Sequence, residues 1–467
     1  MQSDSAMGDR NDFDLVVIGG GISGLVAAKE FGAERTLVVE ARDRLGGSIA
    51  SIAIDGHLVD AGAEAVATMR GEAIELVTEL GLADELERPL RSDARIAVET
   101  GLFQIPHGLL GIPSDLNSQE VVALVGSAAV EEAIRRDALP WSADGEVVTL
   151  GGLVRQRLGD SFVDKILAPV IGGVHAADPD RLEVRVLHPE LLKLLMQGRG
   201  LIESVRAIRG TGVTPGAPIT GLRGGLFRLI EALGSLLTAK GVQFRLATKA
   251  LGIKFDGKRW WVNLDSGDQV CAKSLIIAIP PAEAANFFAE ASAVRESMKK
   301  IVTADVALAL LAVKSTDLDA APVGSGVLVS KSRSDVDAKA MTHATAKWQW
   351  LADLFGPGRH LLRLSYGRDG RLPGDLMHLG ELAARDARTL LAPASLEVVE
   401  HRVAVWPSSL VQQRAGHQAN ISELKLALSD LPNVGLVGSG LGGNGVAGVI
   451  RQVRECVAEL ATAQRVQ

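Results

Sequence analysis

Phe13-Asp14-Leu15-Val16-Val17-Ile18-Gly19-Gly20-Gly21-Ile22-Ser23-Gly24 is the stretch on which the reading of this chain turns. The run to Ile18 is short and almost wholly apolar, the pattern of a strand buried on both faces of a parallel sheet. Glycines break it, a helical pattern follows to about Phe31, and Thr36–Val39 reads as a second strand ended by Glu40. This is a βαβ opening. Gly19, Gly21 and Gly24 satisfy G-x-G-x-x-G: the first permits the tight turn, the second lets the backbone approach a pyrophosphate, and the third lets helix and sheet pack closely. The positive end of the helix then faces the phosphates. Glu40, at the end of the second strand, can bind a ribose diol, and its charge would repel a 2′-phosphate, which disfavours NADP. A tight strand–helix turn in any α/β protein could show the glycines alone. With both strands, the helix and the acid in register, the prediction is a dinucleotide, FAD or NAD.

A second match, Gly438-Ser-Gly440-Leu-Gly-Gly443, follows the apolar run Val434–Val437. Little sequence remains before Gln467, so a second βαβ nucleotide site is not expected. A helix from about Val446, its N–H groups aimed at another part of the same cofactor, is the better reading.

The chain has 467 residues, a soft prior for three units or two large interleaved ones. Hydrophobic residues at 47% and charged residues at 22% exclude a disordered chain. A formal charge of −7 argues against nucleic acid as the main partner. Two cysteines, Cys271 and Cys456, cannot build a disulfide framework or a zinc cluster, so no metal is expected and a reducing, cytoplasmic compartment fits. The first dozen residues lack a secretory signal's apolar run. Leu431–Ile450 is uncharged but holds seven glycines, and Ala304–Val313 is too short to span a bilayer, so no spanning helix is expected.

Helical spacing recurs over Arg70–Leu82, Ser118–Asp137, Leu150–Val170 and Glu183–Arg209, with a breaker-rich crossover loop at Gly210–Pro218. Strand-like runs follow at Val242–Leu246, Trp260–Leu264, Ser274–Ile279, Val306–Val313, Gly326–Val329, His360–Ser365 and Val398–Val405. The stripe Leu187, Leu191, Leu192, Leu195 reads as helix packing, and the mixed charges of Lys331–Lys347 as a solvated loop or edge.

Several motifs go further. Glu40-Ala-Arg42-Asp-Arg44-Leu-Gly46-Gly47-Ser48 and Asp60-Ala-Gly62-Ala-Glu64-Ala65 are joined by Gly111–Leu116, Arg157–Asp160, Pro169–His175 with Asp178-Pro179, and Leu222–Leu226. Gly326–Val329, Ala338–Ala340, Lys347-Trp348 and Leu362–Arg368 extend the set. Together they resemble the FAD-dependent protoporphyrinogen/coproporphyrinogen oxidases of the flavin amine oxidase superfamily, in their actinobacterial branch. The resemblance runs from about residue 13 to 460.

It implies oxidation of coproporphyrinogen III to coproporphyrin III in haem synthesis through one non-covalent FAD, with oxygen as acceptor and peroxide as by-product. Protoporphyrinogen is the alternative substrate. Carried over by position, the FAD contacts would be Gly19, Gly20, Gly21, Ile22, Ser23, Gly24, Glu40, Ala41, Arg42, Gly47, Ser48, Gly62, Ala63, Glu64 and Ala65. Ala250 stands where a valine backbone holds the adenine, Trp406 near the flavin, and Gly445, Val446 and Ala447 at the C-terminal flavin contact. Arg95 falls where an arginine faces a substrate propionate. His175 stands where tyrosine is frequent, on the pocket side or simply in the core. No proton-transferring side chain is required.

The fold implied is a Rossmann-type α/β FAD-binding domain (1–90, 219–290, 407–467) interleaved with an α+β substrate domain. The latter joins a helical segment, 91–218, to a mainly antiparallel sheet, 291–406. Relatives suggest two partners as well, a membrane surface touched loosely by the helical part and ferrochelatase as recipient of product; the residues themselves point to neither. Leu441, Ala447 and Ser408–Gln413 depart from the family pattern. An amine oxidase is the nearest rival, but that class flanks its flavin with tyrosines and this chain has only Tyr366. A flavin-holding protein that no longer turns over is the alternative from another class.

Overall fold

The computed structural model describes residues 11–68, 71–91, 93–142, 147–175, 177–210 and 219–466. Its first strand, Asp12–Ile18, feeds two cores at once. Leu15 and Val17 pack with the helices Ile22–Phe31 and Arg228–Ala239, while Phe13, Val16 and Ile18 pack with Trp260, Phe288 and Leu424 on the opposite face. That double burial is why the run is apolar without alternation. Each fully buried Val, Leu or Ile contributes about 1.5–3 kcal/mol of transfer free energy. Thr36–Val39 is buried at all four positions.

The first sheet runs Gln243–Arg245, Thr36–Val39, Asp12–Ile18, Gln269–Ile277, Trp260–Leu264, Ala250–Phe255. The last two form an antiparallel hairpin, and Val434–Leu436 lies parallel to the end of Gln269–Ile277. Thr36–Val39 and Gln269–Ile277 flank Asp12–Ile18 in parallel on its two sides. The carboxyl end of Asp12–Ile18 is therefore a topological switch point, the crevice where open α/β sheets take ligands. The C-terminal helix, Val446–Val466, packs beside Ile22–Phe31 over this sheet.

The second sheet is ordered Glu397–Val411, Thr303–Lys314, Arg359–Tyr366, Ala340–His343, Gly326–Val329, Ala94–Val98, Gly101–Gln104. All its neighbours are antiparallel except Gly326–Val329 with Ala94–Val98. One face, with Ala309, Leu364, Val327 and Ala97, is covered by the helix Leu379–Leu391. The other faces the first half of the molecule through Leu308, Leu310 and Leu361, and the helical segment through Ile96 and Val98.

The expected helices are present in shorter pieces, among them Glu72–Glu79, Gln119–Val125, Ser127–Asp137, Leu150–Leu158, Pro189–Met196 and Leu201–Arg209. Leu191, Leu192 and Leu195 are core, as the stripe predicts. The crossover loop is described only at Gly210; its remainder, 211–218, lies outside the described residues. Two readings change. Residues 91–218 open with a hairpin, Ala94–Val98 and Gly101–Gln104, that extends the second sheet. Lys331–Lys347 is not simply a solvated edge: Ala340–His343 is an inner strand, Lys339 is 2% exposed and His343 fully buried. No helix among the described residues is long and apolar enough to cross a membrane.

Candidate flavin site

Gly19 leaves the first strand at φ +109, its N–H donating to the Val39 carbonyl at 2.8 Å. A Cβ there would lie 2.6 Å from the Ala278 carbonyl oxygen, and one on Gly24 only 1.9 Å from that of Gly19. Both glycines are therefore demanded by the fold. Gly21 is different. Its φ of −72 and ψ of 175 suit any residue, and the nearest atom to an added Cβ is Gly47 Cα at 3.8 Å. The helix that starts after it has no side-chain cap. Its first N–H groups therefore face a space that the protein leaves open, as anion sites at helix N-termini do.

Glu40 is fixed by both of its oxygens. Oε2 accepts the Gly20 N–H at 2.6 Å and Oε1 the Arg42 N–H at 2.9 Å. Its carbonyl accepts the Thr248 N–H at 2.9 Å, which brings the segment leading to Ala250 alongside. Ala41 and Arg42 are exposed, and Ala250 begins a strand. The remaining lone pairs of the carboxylate are available to a diol.

A second layer of backbone closes over the glycines. Gly46 donates to the Gly20 carbonyl at 2.8 Å, and Ala63 to that of Ser48 at 3.2 Å. Gly62 sits so close to Ser48 that a Cβ would fall 1.9 Å from its carbonyl oxygen. Trp406 is 7% exposed, donates Nε1–H to the Ala61 carbonyl at 3.0 Å, and carries the Arg42 and Arg44 guanidinium groups over its ring at 5.5 and 5.6 Å. Burial and the Arg42 charge both push Arg44 down. The C-terminal glycine loop adjoins: a Cβ on Gly438 would come within 3.7 Å of Ser23 Oγ, and nothing lies within 4 Å of one on Gly445. Asn444 pins that loop to Val411 by two bonds of 2.7 Å.

Two acids in this layer are committed. Asp60 accepts from the Leu226 and Phe227 N–H groups at 2.9 and 3.0 Å, and burial pushes its carboxyl up to about 6. Glu64 pairs with Lys347 at 2.5 Å and with Arg363, whose Nη2 also donates to the Gly62 carbonyl at 2.5 Å. Burial pushes Glu64 up, but the Arg363 and Lys347 charges overcome it and hold the carboxyl at about 2. Arg363 and Lys347 fall inside the motifs Leu362–Arg368 and Lys347-Trp348, but the sequence assigns neither of them a role. Neither carries a local signal, because their partner is roughly 300 residues away.

Arg95 stands apart from this assembly. Arg95 pairs in parallel register with Val327 and shares its face with Ala97, the face covered by Leu379–Leu391. Arg363 lies on the other side of the sheet, against Glu64 and Gly62. Arg95 thus lies on the opposite face of the sheet from Arg363. His175 ends the helix Ala168–His175, and its side chain lies outside the described residues. Tyr366 is fully buried against Asp386 at 3.1 Å under the Leu379–Leu391 helix, so it does not flank the site.

The switch-point crevice, the fixed acid and the paired glycine loops define a dinucleotide-binding α/β protein. The family model of the flavin containing amine oxidoreductases matches residues 22–452. Coproporphyrinogen III oxidase of Mycobacterium tuberculosis (strain ATCC 25618 / H37Rv) is 30% identical over 442 residues, covering 92% of this chain and 93% of its own. That of Bacillus subtilis (strain 168) is 27% identical over 472 residues, covering 96% and 98%. The fold of a crystal structure from Exiguobacterium sp. 255-15 superposes with a TM-score of 0.84 at 24% identity, over 97% of this chain and 99% of that one. The chain belongs to the flavin containing amine oxidoreductases and, within them, to the coproporphyrinogen/protoporphyrinogen oxidase family. It is an FAD-dependent oxidase of that superfamily.

Proposed function

We propose that this chain oxidises coproporphyrinogen III to coproporphyrin III, six electrons passing in pairs to three molecules of oxygen, which leave as three of hydrogen peroxide. The observation that carries the reading is near full-length kinship with coproporphyrinogen III oxidases of two bacterial groups. When bound, FAD supplies the hydride acceptor and the path of electrons to oxygen. The residues present fit it: the open space at Gly21 and Gly445, the uncapped helix, and a carboxylate oriented beside them.

In this reading the N–H groups from Gly21 to Gly24 take the pyrophosphate, Glu40 the adenosine ribose hydroxyls, and Ala250 the adenine edge. Gly47, Ser48 and Gly62–Ala65 cover the cofactor, Trp406 walls the ring side, and Gly445–Ala447 present a second helix N-terminus to it. In this reading no side chain among the described residues is assigned to proton transfer. Glu64 stays ionised between two cations, and Asp60 holds the start of a helix. The three protons released with the three hydrides then leave to solvent and end in the peroxide.

The test is to give purified protein coproporphyrinogen III and protoporphyrinogen IX separately and to follow porphyrin fluorescence with peroxide. Faster turnover of the first supports the proposal, and faster turnover of the second replaces it. Glutamate 40 has its own expected outcome. Glu40→Ala should weaken FAD at least about tenfold, the loss of one charge-assisted bond, and leave FMN, which has no adenosine, unchanged. Equal losses for both nucleotides in a fluorescence titration would remove Glu40 from the ribose.

A further inference from the structure

A cavity of about 410 Å³ opens between the helical segment and the strand ends of the second sheet, lined by Arg181, Arg368, Arg371 and Arg414 with only Asp178 and Asp369. The arginines arrive from three separate elements. Arg181 ends the short helical turn Pro179–Arg181, Arg368 and Arg371 belong to the turn after Arg359–Tyr366, and Arg414 follows Glu397–Val411. Backbone contacts lock the elements together, with Leu182 bridged to Arg414 and the Ala415 N–H donating to the Arg181 carbonyl at 3.2 Å.

Their charges are only partly offset, Asp369, Asp337 and Asp386 all acting on Arg368. Arg368 donates to two carbonyls, of Val329 and Ala338, at 2.8 and 2.9 Å. Arg414 donates Nε–H and Nη2–H to the Gln412 amide oxygen at 3.0 and 2.5 Å. No carboxylate pairs with the Arg181 or Arg371 guanidinium among the described residues. Of the two acids, Asp369 is held by Lys331 at 2.8 Å and Asp178 accepts the Asp180 N–H. Burial and the facing Arg181 charge push Arg414 down, and burial with the Arg368 charge pushes nearby Lys339 to about 8. Four arginines against two acids leave a local positive excess, which is an arrangement an anionic ligand relieves. In a chain of net charge −7 this concentration is local, not a property of the surface at large.

The cavity also adjoins the segment tied to the C-terminal glycine loop. Gln412 and Thr303 line it, and both adjoin Val411, the residue that Asn444 ties to the C-terminal glycine loop. We infer that Arg181, Arg371 and Arg414 anchor the carboxylates of the tetrapyrrole substrate, with Arg368 positioning the turn that carries Arg371. The inference rests on the tetrapyrrole reading and replaces Arg95 as the anchor. It also supplies a residue-level reason for preferring the substrate with more carboxylates, since charge-assisted Arg–carboxylate bonds are the strong ones.

Fluorescence titration of the FAD-loaded protein with coproporphyrin III and with its tetramethyl ester tests it. The free acid should bind at least about thirtyfold tighter at low salt, and the gap should narrow as salt rises. Arg181→Gln with Arg414→Gln should erase most of that gap, Arg181→Lys with Arg414→Lys should restore part of it, and Arg95→Gln should leave it intact. Equal binding of acid and ester by the unmodified chain overturns the inference, whether or not the variants fold. So does a gap that survives the glutamine pair. If the acid preference follows the arginines but neither porphyrinogen is turned over, the proposed reaction fails while the anchoring assignment stands.

Discussion

Glu64→Gln is expected to destabilise the chain by about 3–5 kcal/mol at neutral pH, the cost of leaving a buried charge without its partner. Arg363 is 7% exposed and its Nε already lacks a partner. With glutamine at 64, Arg363 and Lys347 would face each other across a neutral amide. The pH dependence separates this from ordinary packing loss. Glu64 is held at about 2 in the folded chain, below its usual 4.5. Its stabilisation is thus present above pH 4.5 and lost as pH falls toward 2. The gap between the two proteins should close over that window. Asp60 has the opposite sign: raised to about 6 from 3.8, it favours the folded state below pH 3.8, and that contribution disappears as pH rises through 6. Asp60→Asn should therefore flatten the curve between pH 4 and 6 without touching the acid limb. Urea unfolding of the three proteins across pH 2.5–7 reads both effects. A Glu64→Gln protein within about 1 kcal/mol of the parent at pH 7 would show the pair to be energetically idle.

That triad also marks the limit of what the sequence could disclose. The βαβ opening was legible because burial on both faces leaves an unbroken apolar run, and because Gly19 and Gly24 are required by contacts within the same short segment. The hairpin Ser51–Ile54 and His57–Asp60 was missed although its signal was present. Asp55-Gly56 turns with both residues at positive φ, 51 and 77, the type I′ preference of the Asp-Gly pair. Lys339 and His343 concealed an inner strand, since charged and titratable residues in alternation imitate a solvated edge. Glu64 with Arg363 and Lys347, and the four arginines of the basic cavity, join positions far apart in the chain. No window of sequence contains them together. Family position carried the sequence reading to Arg95, and the parallel register with Val327 turns that side chain to the other face of the sheet.

Gly21→Ala tests the cofactor assignment more cleanly than any change at its neighbours. At Gly24 a methyl group would meet the Gly19 carbonyl at 1.9 Å, so Gly24→Ala should damage fold and flavin binding together. At Gly21 the backbone is already in a conformation open to alanine, and the nearest protein atom to the new carbon would be 3.8 Å away. The flavin-free chain should accept it at no cost, or gain about 0.4–1 kcal/mol from a stiffer unfolded state. What the methyl group would obstruct is whatever approaches the helix N-terminus. FAD affinity should fall at least about a hundredfold, roughly 2.7 kcal/mol, and the protein should emerge colourless with its unfolding midpoint in the absence of flavin unchanged. Gly32→Ala serves as the control: φ is +64 and nothing lies within 4 Å. Substitution there should cost about 1 kcal/mol of stability and leave the yellow colour. If Gly21→Ala retains full flavin while Gly24→Ala loses it, the glycines serve only to pack helix on strand, and the pyrophosphate must be held elsewhere.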